Sequence, residues 1–266
     1  MKQRIQKLLA GAGIASRRHI EQMLLEGRIA VNGVTVRRPP VLIDPRTDRV
    51  TVDGQRVRLA EAVSAARHYF LLNKPKGVYC TNVAQGEQLR AIDLLPPDLE
   101  ARLYPVGRLD ADSKGLLLLT DDGELTHRLT HPRYGVAKTY RAVVDGLVND
   151  EAIRQLQKGV WLADREGRGF KTGHMDVKVM RRVNGRSILQ ITIREGRNRQ
   201  VRRVLARLGH KVRDLTRIRM GPLTLEGLAP GQFRPLSARE VEQLKKAAAT
   251  EPRGRGERTS PRRNDG

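Results

Sequence analysis

The 266-residue sequence contains a single cysteine, Cys80, so no internal disulfide framework and no multi-cysteine zinc or iron–sulfur site can be built. Aromatic residues make up 3% of the chain, too few for a sheet or barrel on which several bases stack. Any recognition of nucleic acid must then rest on phosphates and shape, with at most one stacked base. No run of 18 apolar residues occurs, so no transmembrane helix is expected. The opening MKQRIQKLLAGAG lacks the continuous apolar core of a secretory signal, and a cytoplasmic location is the expectation. There is no Walker A loop, no GxGxxG turn and no nucleophile elbow. His127 and His131 share a helical spacing, but no acidic third ligand completes a zinc motif and Pro132 ends the helix, so no metal site is expected. Cys80 has no evident histidine partner and reads as a small core or loop residue.

What is abundant is positive charge. Lys and Arg number 51 against 29 Asp and Glu, a formal net charge of +22. It is concentrated: residues 1–60 carry +7, residues 186–219 carry +9, and the tail from Lys245 carries +4. Three basic regions on one chain can align along one polyanionic backbone, which makes nucleic acid the first partner to consider and an anionic membrane a poor second. Hydrophobic residues, at 39%, suffice for a buried core, and the length suits two domains.

Residues 1–58 read as a small unit. Ile5, Leu8, Leu9 and Ala12 repeat at helical spacing. Ser16 is placed to cap a second helix whose stripe is Ile20, Met23 and Leu24, with Gly27 as its stop. A hairpin follows around Asn32-Gly33, and Val50 and Val52 precede another turn at Asp53-Gly54. The segment GIASRRHIEQMLLEGRIAVNG resembles the RNA-binding domain named after ribosomal protein S-four, also called the αL motif. That resemblance implies a basic face lined by Arg4, Ser16, Arg17, Arg18, Arg28 and Asn32.

Residues 59–68 read as a linker, and residues 69–246 as a second unit opening with the strand Tyr69–Asn73. Strands are expected at Lys138–Val144, Val177–Val179, Ile188–Ile193 and Leu223–Leu225, and helices at Glu151–Gln157, Arg199–Leu208 and Ala238–Lys246. Without regular βαβ alternation this is an α+β fold with a mixed, mainly antiparallel sheet. Residues 247–266 are read as a basic, disordered tail. The dispersed apolar content offers no oligomer interface, so a monomer is the expectation.

The run Leu116–Leu119 reads as a fully buried strand, and Asp110 lies in the loop feeding it. The stretch GRLDADSKGLLLLTDDG is similar to the signature of the RsuA/RluB branch of pseudouridine synthases. Further matches follow in order: HPR at 131–133, Lys138-Thr139-Tyr140, and EGRNRQVRRVLARLGH at 195–210. The resemblance implies a reaction that needs no cofactor: isomerisation of a specific uridine in ribosomal RNA. It implies Asp110 as the catalytic aspartate, Tyr140 as the aromatic packed on the target base, and Arg202 as the basic residue paired with the aspartate. Arg202 also borders the helical stripe Val201, Val204, Leu205 and Leu208, where it can reach into a cleft. Arg108, Lys138, Arg197, Arg199 and Arg203 in the matched segments are expected RNA contacts. The basic tail inclines the substrate reading to 23S ribosomal RNA, free or in an assembling subunit. A 16S target and a non-catalytic ribosome-assembly factor remain open alternatives.

Overall fold

The computed structural model describes residues 2–59, 66–99, 101–164 and 166–249. At the N-terminus, β1 (Gln3–Arg4) pairs with β4 (Leu42–Ile43), and helices Ile5–Gly11 and Arg17–Leu25 follow β1. Ser16 caps the second helix by accepting from the His19 amide at 3.1 Å. Strands β2 (Ile29–Val31), β3 (Val34–Thr35), β5 (Val50–Val52) and β6 (Gln55–Val57) form an antiparallel sheet in the order β3-β2-β5-β6. Its two hairpins turn on Asn32-Gly33 and Asp53-Gly54, all four residues at positive φ, the geometry that matches strand twist. Ile5, Leu9, Ile20, Leu24, Ile29 and Val50 are wholly buried in this unit's core. Leu59 packs into the same core, one residue past the expected boundary. Of the expected linker, residues 60–65 lie outside the described residues; His68 at its far end is tied to Asp121 of the second unit by backbone and ring nitrogens at 3.0 and 2.9 Å.

The second unit is built on one nine-stranded sheet. Its strands are β7 (Tyr69–Lys74), β8 (Tyr104–Pro105), β9 (Lys114–Thr120), β10 (Lys138–Asp145), β13 (Asp176–Val183), β14 (Arg186–Ile193), β15 (Val212–Met220), β16 (Leu223–Thr224) and β17 (Phe233–Pro235). The order is β13-β14-β10-β15-β9-β7-β17, with β16 on β15 and β8 on β9. A separate hairpin pairs β11 (Trp161–Ala163) with β12 (Gly169–Lys171). Among the described strand ladders only β9/β15 is parallel, which agrees with the α+β, mainly antiparallel expectation.

Burial explains the sequence patterns. Leu116 and Leu118 of β9 face helix Gly123–Thr130 and the C-terminal helix Ala238–Ala249, while Leu117 and Leu119 face Leu72, Val78 and Leu103. A strand covered on both sides is apolar at every position. By contrast β10 and β14 bury alternate residues: Tyr140, Ala142 and Val144 pack with Leu189, Ile191 and Ile193 under helices Asp150–Lys158 and Gln200–Arg207. The C-terminal helix runs to Ala249 and buries Ala248 against Leu244, so residues 247–249 are not part of a disordered tail; the rest of the expected tail lies outside the described residues.

Sheet centre and site meet at Gly115. It sits at φ +104 where β9 meets β15, and a Cβ there would collide with the Arg217 backbone, whose amide nitrogen lies 2.9 Å away. Gly115→Ala is expected to destabilise the protein by about 2–4 kcal/mol, from strain plus overpacking, read as a lowered urea midpoint at constant slope.

Candidate active site

Asp110 immediately precedes a turn at residues 111–112. Its carbonyl accepts from the Ser113 amide at 3.0 Å, and the next carbonyl, Ala111, accepts from the Gly77 amide at 2.7 Å. The loop is thereby fixed both to the start of β9 and to the Lys74–Gly77 turn. Beneath it Leu109 is buried, and its amide points at the Cys80 sulfur at 3.4 Å. Burial raises the Cys80 thiol pKa, as suits a packing residue.

The carboxylate's basic partner differs from expectation. Arg199, not Arg202, meets Asp110: its Nη1 lies 3.2 Å from Asp110 Oδ2, and its Nη2 lies 3.0 Å from Asp112 Oδ2. Arg202 does reach inward from the helix border, but its Nη2 donates to the Asp112 carbonyl at 3.0 Å and to Ser113 Oγ at 3.2 Å. Its Nη1 donates to the Val212 carbonyl at 3.3 Å, so Arg202 ties the loop, its own helix and β15 together. The helical wheel fixed which way Arg202 faces, not which of two carboxylates it finds. Arg199 precedes the helix in the left-handed region at φ +48, which aims its side chain back across the loop. Asp112, bonded by Arg199 and close to Arg202, has its pKa held below the usual carboxylate range.

Asp110, Tyr140 and Arg199 line one cleft of about 240 Å³, together with Arg108, Lys138 and Arg217. Tyr140 is 8% exposed and pairs across strands with Arg217. A register shift between Thr139 and Tyr140 against β15 marks a bulge beside the cleft, a common device for re-aiming side chains at sites. Because β10, β15 and β9 are neighbours, Tyr140, Arg217 and the Asp110 loop converge although far apart in sequence.

The sequence reading missed β15 and with it Arg217, which is 2% exposed and donates through Nε to the Leu116 carbonyl at 2.7 Å. It also missed the burial of Lys74, whose Nζ donates to the Pro75 and Val78 carbonyls at 2.9 and 2.8 Å and whose pKa burial lowers. The available signal was the position of Lys74 at the end of an apolar strand.

The expected RNA contacts divide. Arg4, Arg17, Arg18 and Arg108 are exposed. Arg17 and Arg18 line a groove of about 640 Å³ that also takes in Arg67 and Arg102 of the second unit. Ser16 spends its oxygen on the helix cap. Arg28 is clamped by Asp53 through two bonds of 2.7 Å, so its charge is largely answered within the protein. Asn32 bonds Asp48 and the Arg49 amide, a turn-holding role. Arg197 lies 4.1 Å over the Phe170 ring, and Arg203 bonds the Ala163 carbonyl; both brace the β11–β12 hairpin. Lys138 is buried in the cleft rather than displayed on the surface. The rings of His127 and His131 lie tilted against each other with centroids 5.1 Å apart, and among the described residues no group of three His, Cys, Asp or Glu could hold a metal ion.

Residues 68–207 match the RNA pseudouridylate synthase family, and residues 3–45 match the S4 domain. An uncharacterised RNA pseudouridine synthase of Aquifex aeolicus is 41% identical over 93% of this chain and 95% of its own. A ribosomal large subunit pseudouridine synthase B of Bacillus subtilis is 40% identical over 92% of this chain and 97% of its own. A crystal structure of a pseudouridylate synthase superposes with a TM-score of 0.63 at 30% identity, covering 91% of this chain and 99% of that one.

Proposed function

This chain belongs to the RNA pseudouridylate synthase family, and from that premise we propose that it isomerises one uridine of large-subunit (23S) ribosomal RNA, with Asp110 as the catalytic carboxylate acting on a nucleotide turned out into the cleft. The observation that carries the residue assignment is that Asp110 is, among the described residues, the one acidic side chain lining this cleft, where it ion-pairs with Arg199. The name of the Bacillus subtilis relative supports the large subunit as target.

The chemistry asks for little more. The C1′–N1 bond breaks, the base turns, and C5 bonds to C1′. A carboxylate serves this either as nucleophile at C1′ or as proton acceptor. Arg199 stands beside that carboxylate as an ion-pair partner at 3.2 Å, held there by its two hydrogen bonds to Asp112. A base stacked in a helix cannot reach a cleft of this kind, so extrusion precedes chemistry. Tyr140 then offers a stacking face, on the order of 1–3 kcal/mol. The exposed cations of the N-terminal unit hold the surrounding RNA by phosphate contacts.

The test is incubation of the purified protein with full-length 23S and 16S transcripts, followed by pseudouridine mapping. One new site in 23S RNA is expected. Modification confined to 16S RNA would overturn the substrate, and no modification of either would overturn the ribosomal reading.

A further inference from the structure

The floor of the cleft holds two buried cations that the chemistry above leaves unused. Arg217 commits Nε to the Leu116 carbonyl, but its Nη2 is buried with no hydrogen-bond partner among the described residues. Lys138 is 8% exposed, and the one acceptor its Nζ reaches among the described residues is the Val136 carbonyl at 3.2 Å. Lys138 and Tyr140 are two apart on β10 and so share a face, and Arg217 is Tyr140's cross-strand partner. All three line the cleft. Two desolvated cations with spare donors are costly unless an acceptor arrives. Among the described residues the one carboxylate lining the cleft, Asp110, is already ion-paired with Arg199.

We propose that Lys138 and Arg217 form a binding floor for the pyrimidine itself, donating to its carbonyl oxygens and holding the negative charge that the ring gains when the glycosidic bond breaks. This rests on the reading of Asp110 given above. In the step concerned the electron pair of C1′–N1 leaves with N1 and spreads onto the ring oxygens. The ring turns, C5 uses a ring pair to bond C1′ and displaces the Asp110 carboxylate where that has taken C1′, the C5 proton passes to the carboxylate or to solvent, and N1 takes one back. No external reactant enters. Donors preset in a dry site act where charge develops, so they favour the transition state over the bound uridine. A phosphate contact at the same cations would act on binding instead.

Lys138 is the better probe, because Arg217 also braces β9. Lys138→Met removes a buried charge and leaves an apolar side chain of similar length, so the denaturation midpoint should not fall. Burial and the neighbouring Arg217 bring the Lys138 pKa down to about 8. The charged or titratable groups that line the cleft with it are Arg108, Asp110, Arg197, Arg199 and Arg217, with Tyr140, and Arg217 is the one whose charge acts on it. The active form is the protonated one, so wild-type rate over KM should fall as pH rises through about 8.

The experiment uses the full chain and 23S transcript, and reads single-turnover rate at saturating enzyme, RNA Kd, and the pH profile. Lys138→Met is expected to lose about 100-fold in saturating rate with Kd changed less than about threefold. Lys138→Arg should recover most of the rate and lack the alkaline limb. A Lys138→Met rate within about threefold of wild type, or a loss confined to Kd, overturns the floor. Those results would leave the Asp110 assignment standing, whereas an active Asp110→Asn protein would remove the reading beneath it.

Discussion

Asp110→Asn is expected to cut pseudouridine formation by about a thousandfold or more at saturating enzyme. The amide keeps the shape of the carboxylate, and Arg199 keeps its two hydrogen bonds to Asp112, so the loop held by the Ser113 and Gly77 amides should not move. What disappears is the anion. An amide can neither attack C1′ nor carry a proton away, so the loss is the same for either role of the carboxylate. Binding moves the other way. The substituted group is the one negative charge lining a cleft that contains Arg108, Lys138, Arg197, Arg199 and Arg217. Removing it should leave the Kd for RNA unchanged or slightly tighter, and make the salt dependence no shallower. A chemical map of the transcript before and after single-turnover incubation, alongside a filter-binding titration, separates the two effects. Residual conversion within about tenfold of wild type would take Asp110 out of the chemistry.

How legible this arrangement was in the sequence depends on how local each signal is. The helix Arg17–Leu25 and its Ser16 cap, the turns at Asn32-Gly33 and Asp53-Gly54, and the apolar run Leu116–Leu119 of strand β9 are all dictated within a few residues, and each stands where the pattern places it. Strand β15 was not visible, because its sequence VRDLTRIRM alternates poorly and carries charge at positions that a half-buried strand usually fills with apolar side chains. Arg217 is one of those charges, and it is buried because the parallel contact with Gly115 and the carbonyl of Leu116 receive it. That is a long-range fact, absent from any window of sequence. The same holds for Lys138, which sequence reading counts as one cation among many and the fold places in the cleft floor. Arg28 shows the opposite case: a surface cation by sequence is answered by Asp53, whose position follows from the pairing of β2 with β5. Charge totals survive folding, but the assignment of each charge to a ligand or to an internal partner does not follow from them.

Exchanging the roles of two neighbouring arginines carries the second large effect. Arg199→Ala should lower the saturating rate by about 100-fold with little loss of stability, since the side chain is 42% exposed and surface ion pairs contribute little to folding. Arg199 acts through Asp110 and is therefore a positioning residue. Arg199→Lys keeps a charge within reach of both carboxylates and should restore part of the rate. Arg199→Gly is the more informative companion, because its backbone sits at φ +48. Glycine adopts that conformation freely, so this variant should fold at least as well as Arg199→Ala while losing the same rate. Arg202→Ala should behave differently. Its side chain is 12% exposed and bonds the Asp112 and Val212 carbonyls and Ser113 Oγ. Truncation strands these acceptors and should destabilise the fold by about 2–4 kcal/mol, with the rate falling because the Asp110 loop loosens. Urea unfolding and single-turnover rates on the same four proteins decide it. If Arg202→Ala keeps its midpoint and loses more rate than Arg199→Ala, then Arg202 is the guanidinium that meets Asp110 during the reaction, and the pairing seen here is a resting one.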